Sequence, residues 1–317
     1  MKRTFISLVI LFLASVSVAA RQIELTLHPA KAPKPRNKYQ LLPKDKELSD
    51  SDALPLYKRA IQSLPKDSQR DQKIRQWVKT PLNKLPRKQV QSTLQQLKPT
   101  LQLVEQAARC NQCNWPPFDP EPLPQNLSEY RKLAYLLSLQ ARLQIAQGQY
   151  DQAVGTIQTG LAMARHVGKG PTLVQRLVSI AIAALMCGQL EQFVQSPDAP
   201  NLYWALQSLP KPFVDLTEQI VLESPEIRER PLLLMNRLDR HVAALQCIEA
   251  LRLYAAVRKG KFPTALTEIT NIPIPDDPVN KKPFVYSSTG YKAVLEAPAP
   301  KGATAKDAMR YQLTLKE

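Results

Sequence analysis

NLSEYRKLAYLLSLQARLQIAQGQYDQAVGTIQTGL, residues 126–161, is the stretch whose reading decides the fold. Leu133, Leu136, Leu137, Ala141 and Ile145 recur at three- and four-residue spacing, which lays an apolar stripe along one face of a helix. Asn126, with Glu129 three residues later, has the form of a capping box at its start. Gly148 supplies the stop, and Tyr150, Ala153, Ile157 and Leu161 resume the helical period on a second helix. The reading is a helical hairpin.

The same period continues outward on both sides. Upstream, Leu56, Ala60, Ile61 and Leu64 share a face, as do Ile74, Trp77 and Val78, and then Val90, Leu94, Leu97, Leu101 and Val104. Pro65, Pro81 and Pro86 separate these helices, and Pro99 kinks or restarts the third. Downstream, Pro171 and Thr172 open a helix through Val174, Leu177, Ile180, Ala184 and Cys187 that ends near Val194. Asn201 to Leu209 reads as a short helix. Ser224 and Pro225 fit an N-cap and first helical position of a helix that reaches Arg258 and stops at Gly260. With 9 Gly against 28 Pro, the composition disfavours a sandwich of tight turns.

The tail changes period. Phe284 to Tyr286, Tyr291 to Leu295, and Tyr311, Leu313 and Leu315 alternate as strands do, and Ile23, Leu25 and Leu27 offer one more for the same sheet. The fold class is mainly α: a multi-helix domain of antiparallel hairpins with a small C-terminal β element. Its expected organisation is a signal peptide over 1–20, an N-terminal strand and basic Pro-rich arm over 21–48, a helical domain over 49–268, and a β-rich element over 269–317.

Lys2 and Arg3, the apolar run Phe5 to Val16, and Ser17-Val18-Ala19-Ala20 together predict a cleavable secretory signal, because the run is near 12 residues and a spanning helix needs about 20. The chain is therefore expected outside the cytoplasm, periplasmic or extracellular. The run Leu177 to Cys187 is too short to span, so no transmembrane helix is expected after cleavage. The net charge of +16 becomes +14 without Lys2 and Arg3, and 18 Lys and Arg face 7 Asp and Glu between Arg21 and Thr100. That basic first quarter suits an envelope protein or an anionic envelope polymer. Nucleic acid suits it least, since Tyr57 and Trp77 are too few for interleaved stacking.

Several stretches resemble known groups. Gly148, Tyr150, Ala153 and Leu161 have the spacing of the turn and second helix of a tetratricopeptide-type unit. Tyr39-Gln40-Leu41-Leu42-Pro43, Asn201-Leu202-Tyr203-Trp204-Ala205-Leu206, Asp277-Pro278 and Lys282-Pro283-Phe284-Val285-Tyr286 resemble a group of secreted, helical, functionally uncharacterised proteins of planctomycete-type bacteria. That likeness implies localisation and fold but no catalytic residues. The tail also resembles the end of a type II secretion pseudopilin, where a long helix leads into a Gly-x-x-Pro segment, here Gly260-Lys261-Phe262-Pro263, then an Asp-Pro turn and strands. It departs by following a large helical domain.

Cys110-Asn111-Gln112-Cys113 is the one local motif with chemistry of its own. In an exported chain such a pair forms a structural disulfide, works as a redox couple or gives half a metal site, and the Asn at 114 removes haem attachment. A structural disulfide or unpaired thiols in an ordered loop, Cys110 to Gln125, is the expectation here, because the pair follows a helix rather than opening one. Cys187 and Cys247 sit on apolar faces as small hydrophobes. His28 is expected in solvent, His166 as a cation at a helix end, and His241 without a partner. Asp276 and Asp277 read as a turn. Gly168-Lys169-Gly170-Pro171-Thr172 lacks the spacing of a phosphate loop and reads as a helix break. With no catalytic, metal or cofactor signature, the expected function is an exported, non-enzymatic scaffold or binding protein. Trp115, Tyr203 and Trp204 are the candidate contact surface. An envelope hydrolase or lyase with a site between helices is the alternative.

Overall fold

The computed structural model describes residues 21–117, 127–218, 225–300 and 303–316. Nine α-helices lie among them: α1 Ala53–Gln62, α2 Ser68–Lys79, α3 Arg87–Gln96, α4 Lys98–Ala108, α5 Leu127–Ala146, α6 Tyr150–Gly168, α7 Leu173–Val194, α8 Tyr203–Gln207 and α9 Pro225–Val257. The expected breaks appear for the expected reasons. Asp52 and Asp67 cap α1 and α2 through their carboxylates. Pro99 restarts the chain as the second residue of α4, where its missing N–H costs nothing. Gly148 takes a positive φ of 72° after α5, a conformation only glycine adopts freely. Thr172 and Gln175 form a reciprocal capping box on α7. Asn126 and Ser224, the other expected caps, lie outside the described residues.

The helical body is held by one apolar core in which Leu133, Leu136, Leu137, Ile157, Leu161, Ile182 and Phe193 are buried. α5, α6 and α7 pack mutually at its centre, with α1 against α4 and α2 against α5 on one flank. α7 is 22 residues long with a mean hydropathy of 1.6 over its most apolar window, enough by length and composition to cross a membrane. The short apolar run at its middle therefore understated it. Half of that window is buried within the protein, and α7 packs against α5, α6 and α9.

Four strands form one sheet in the order β1-β6-β5-β4, with β1 Arg21–Leu27, β4 Val285–Ser288, β5 Lys292–Ala297 and β6 Met309–Leu315. β1 pairs in parallel with β6 from Arg21 opposite Met309 to Leu27 opposite Leu315, so the first and last strands among the described residues lie side by side in one sheet. Leu25, Leu27, Leu295, Tyr311 and Leu313 point from it onto the second half of α9, where Ala244, Ile248 and Leu251 are buried. α9 is thus shared: Leu238, Val242 and Leu245 belong to the helical core and the next two turns to the sheet core. Phe262, Ile269 and Ile272 lie in the same core as the sheet residues.

Two further differences matter for the site. Cys110–Gln112 is a strand, β3, pairing in parallel with β2 Ser49–Asp52, where a loop was expected. The Pro-rich segment after β1 is docked rather than extended into solvent. Leu41 is fully buried, the Tyr39 hydroxyl donates to Asp151 at 2.7 Å, and Ala30 N donates to the Arg252 carbonyl at 3.2 Å.

Candidate binding groove

β3 and the residues after it bring several singled-out side chains to one place beside α1, α5 and the end of α6. His166 is buried there. Its Nε2 lies 3.1 Å from the Cys110 carbonyl and its Nδ1 3.0 Å from the Tyr57 hydroxyl. A carbonyl only accepts, so Nε2 carries the proton, Nδ1 accepts, and Tyr57 donates. Burial holds the ring's pKa down, at about 4, so His166 is neutral and its expected role as a helix-end cation is corrected. Trp115 Nε1 donates to the His166 carbonyl at 2.8 Å, and its ring packs against Tyr130 at 5.7 Å.

Cys, His and Asp converging in this way invite comparison with a nucleophilic triad, and the chemistry does not fit. Both ring nitrogens of His166 are engaged by other groups. Burial, with the nearby Asp52 carboxylate, pushes the Cys113 thiol up to about 12, so the thiolate is not populated at neutral pH. All four cysteines are free and buried in the structure, so of the two expected states of Cys110 and Cys113 it holds the unpaired thiols rather than the bridge. Among the described residues no group of three His, Cys, Asp or Glu is placed to hold a metal ion.

The remaining contact candidates belong elsewhere. Tyr203 is fully buried, with its hydroxyl on the Pro273 carbonyl, so it anchors α8 to the sheet core and forms no contact surface. Trp204 is half-buried beside it, ring centroids 5.0 Å apart, with the Arg36 guanidinium over its other face at 5.2 Å. Around them α9 carries buried charges that tie the molecule together. Arg252 donates to Glu249 at 2.8 Å, to the His28 carbonyl at 2.9 Å and to the Ala199 carbonyl at 2.8 Å. Glu249 also accepts from Asn201 Nδ2 at 2.6 Å. Arg240 grips Asp277 with two bonds of 2.9 and 2.6 Å. Asp277 is therefore an ion-pair partner in the core rather than a plain turn residue. His28 is partly buried rather than free in solvent, and burial lowers its pKa. His241 Nε2 lies 2.8 Å from Glu191, close enough for an ion pair but off the line of a hydrogen bond.

The feature that residue-by-residue reading missed is a groove of about 480 Å³ with α3 and α4 on one side and α5 and α6 on the other. Eight of its seventeen lining residues are glutamines. Gln91, Gln95 and Gln102 come from one wall; Gln140, Gln144, Gln147, Gln149 and Gln152 come from the other. Leu94, Leu101, Leu137 and Leu143 show between them, and the only ionised side chains in the lining are Lys98 and Glu105. The groove is electrically balanced and rich in amides that both donate and accept. Thr156 donates to Gln144 at 2.7 Å across its floor. The signal was present in the sequence as glutamines on the faces that flank the apolar stripes, and a search for ionisable chemistry passes over it.

A second, shallower trough of about 550 Å³ lies between α2 and α3. Arg70, Lys73 and Lys88 face it against Asp67, with the Lys73 ammonium 5.5 Å from the Trp77 ring centre. The basic first quarter thus lines this concavity with three of its cations.

No protein-family profile, curated protein or solved structure matches this chain.

Proposed function

We propose that this protein is an exported, non-catalytic binding protein of the cell envelope, and that its partner seats in the glutamine-lined groove. The observation that carries this reading is the groove's lining: amides from two helical hairpins, with apolar floor between them and almost no charge. Such a surface suits an uncharged, hydrogen-bonding chain such as an extended polypeptide segment, because each amide offers both a donor and an acceptor at modest desolvation cost. The inert state of Cys113 and His166 favours binding over nucleophilic chemistry. The spacing of Gly148, Tyr150, Ala153 and Leu161 supports reading α5 and α6 as a tetratricopeptide-like unit that walls the groove. The pseudopilin-like order of the tail gives a second element that fits a protein working beside envelope machinery.

A photo-crosslinking residue in place of Gln152 tests this directly. It should give a defined adduct with an envelope component, and the same residue in place of Val285, an exposed position on the sheet, should not. Equal labelling from both positions would sink the groove as the binding site.

The trough between α2 and α3 favours a second reading, in which Arg70, Lys73 and Lys88 hold an anionic envelope polymer. Binding of that kind weakens as salt rises, whereas binding through the groove does not.

A further inference from the structure

A third concavity belongs to neither surface. It is a pocket of about 290 Å³ where α6 ends and α7 begins, walled by Phe213, Val214 and Asp215. Three cations line it: Arg165, Lys169 and Arg176. Arg165 Nη1 donates to the Phe213 carbonyl at 2.7 Å, and Arg176 Nη1 donates to the Asp215 carbonyl. Each guanidinium thereby fixes the 213–215 wall with one of its five N–H groups and keeps the rest. Burial disfavours the charge on both arginines, and the buried Arg176 Nε has no hydrogen-bond partner. Neither arginine forms an ion pair among the described residues. The one carboxylate lining the pocket, Asp215, accepts from the Thr217 N–H at 2.9 Å and from its hydroxyl at 2.6 Å. The Glu218 and Asp215 carboxylates act on Arg176 only through space.

Partly desolvated guanidiniums without a directly paired carboxylate are costly in a folded chain, and the ordinary remedy is an anion that takes their free N–H groups. The lining carries three positive charges against one negative, and planar forks match tetrahedral oxyanions with paired bonds. We propose that this pocket binds a phosphate-class oxyanion, held between the Arg165 and Arg176 guanidiniums with Lys169 at the mouth. The site is independent of the glutamine-lined groove and stands or falls separately from it.

The test is thermal unfolding of the purified chain in rising inorganic phosphate, with ionic strength held constant by chloride. A saturable rise in Tm is expected, since a ligand that binds only the folded state stabilises it by mass action. Arg176→Gln should weaken the apparent phosphate affinity about tenfold, the loss of one charge-assisted contact pair. Lys261→Gln, at an exposed lysine that lines neither this pocket nor the α2–α3 trough, should leave it unchanged. Lys169 is exposed, so Lys169→Gln should fold normally and still weaken phosphate binding, which keeps the test open if an arginine variant is unstable. Flotation with phosphatidylglycerol or phosphatidylcholine vesicles separates the sources. Phosphate-competed binding to the former alone identifies a lipid headgroup, and saturable stabilisation without vesicle binding identifies a free anion. No rise above chloride, or an equal rise in Arg176→Gln, overturns the site.

Discussion

His166 is the residue whose surroundings contradict its sequence most usefully. At a helix end it reads as a cation, yet it is neutral because β3 and α1 cover it, and both partners are satisfied only by the Nε2–H form. Its folded pKa of about 4 lies below the ordinary 6.5, so the unfolded chain binds a proton in that window that the folded chain refuses. Stability is therefore lost as pH falls from 6.5 towards 4, by up to about 3 kcal/mol. Urea unfolding of the wild type and His166→Gln at pH 7 and pH 4.5 checks this: the wild type should lose more stability than the variant, and parallel losses would contradict the buried neutral ring. The thiols give a second test at the same scale. Denaturation without reductant should expose four alkylatable cysteines by mass spectrometry, and a count of two would mean that Cys110 and Cys113 are bridged after all. The spacing Cys-x-x-Cys was legible, but the state of the pair depends on β2 and α6, which no local pattern could bring beside it.

Among the elements, α6 and α9 show what periodicity conveys and what it omits. Gly155 and Gly160 both sit inside α6, where glycine costs about 1 kcal/mol relative to alanine. A Cβ at Gly155 meets nothing within 4 Å, whereas one at Gly160 falls 2.2 Å from the buried Met186 Sδ. Gly155→Ala should stabilise the fold by about 0.5–1 kcal/mol, and Gly160→Ala should destabilise it by about 1–3 kcal/mol; equal effects in denaturant titrations would refute this packing of α6 on α7. The helices themselves were legible because their apolar stripes keep a 3.6-residue period and their ends carry Pro, Gly, Asp or Thr. The charges of α9 were not. Arg240, Glu249 and Arg252 look like a solvated face, and they are buried because β1, the 199–202 segment and Asp277 close over them. Asn201, Tyr203 and Asp277, which carried a family likeness, turn out to be the docking points of that helix. Asp277→Ala should cost about 3–5 kcal/mol by leaving Arg240 buried without its partner. Replacing both with Leu and Met should recover much of the loss, which separates an unpaired charge from simple loss of packing.

For the whole molecule, the first and last described strands meet in one sheet and α9 joins that sheet to the helical body. β1 could be anticipated as a fourth strand because Ile23, Leu25 and Leu27 alternate, but its parallel pairing with β6 is a tertiary fact. The same limit hid the groove. Glutamines spread from residue 91 to residue 152 become a single surface only once α3, α4, α5 and α6 pack, and none of them is ionisable enough to attract notice alone. Gly155 lines that surface and leaves it open. The most direct test of the groove as the functional centre is capture of envelope components by the tagged wild type and by Gly155→Trp, with salt raised during washing. A Cβ at Gly155 meets nothing within 4 Å, so an indole there is expected to occupy the groove, and the account predicts a salt-resistant partner on the wild type that is absent from a variant whose Tm is not lowered. Retention of the same partner by Gly155→Trp would contradict it.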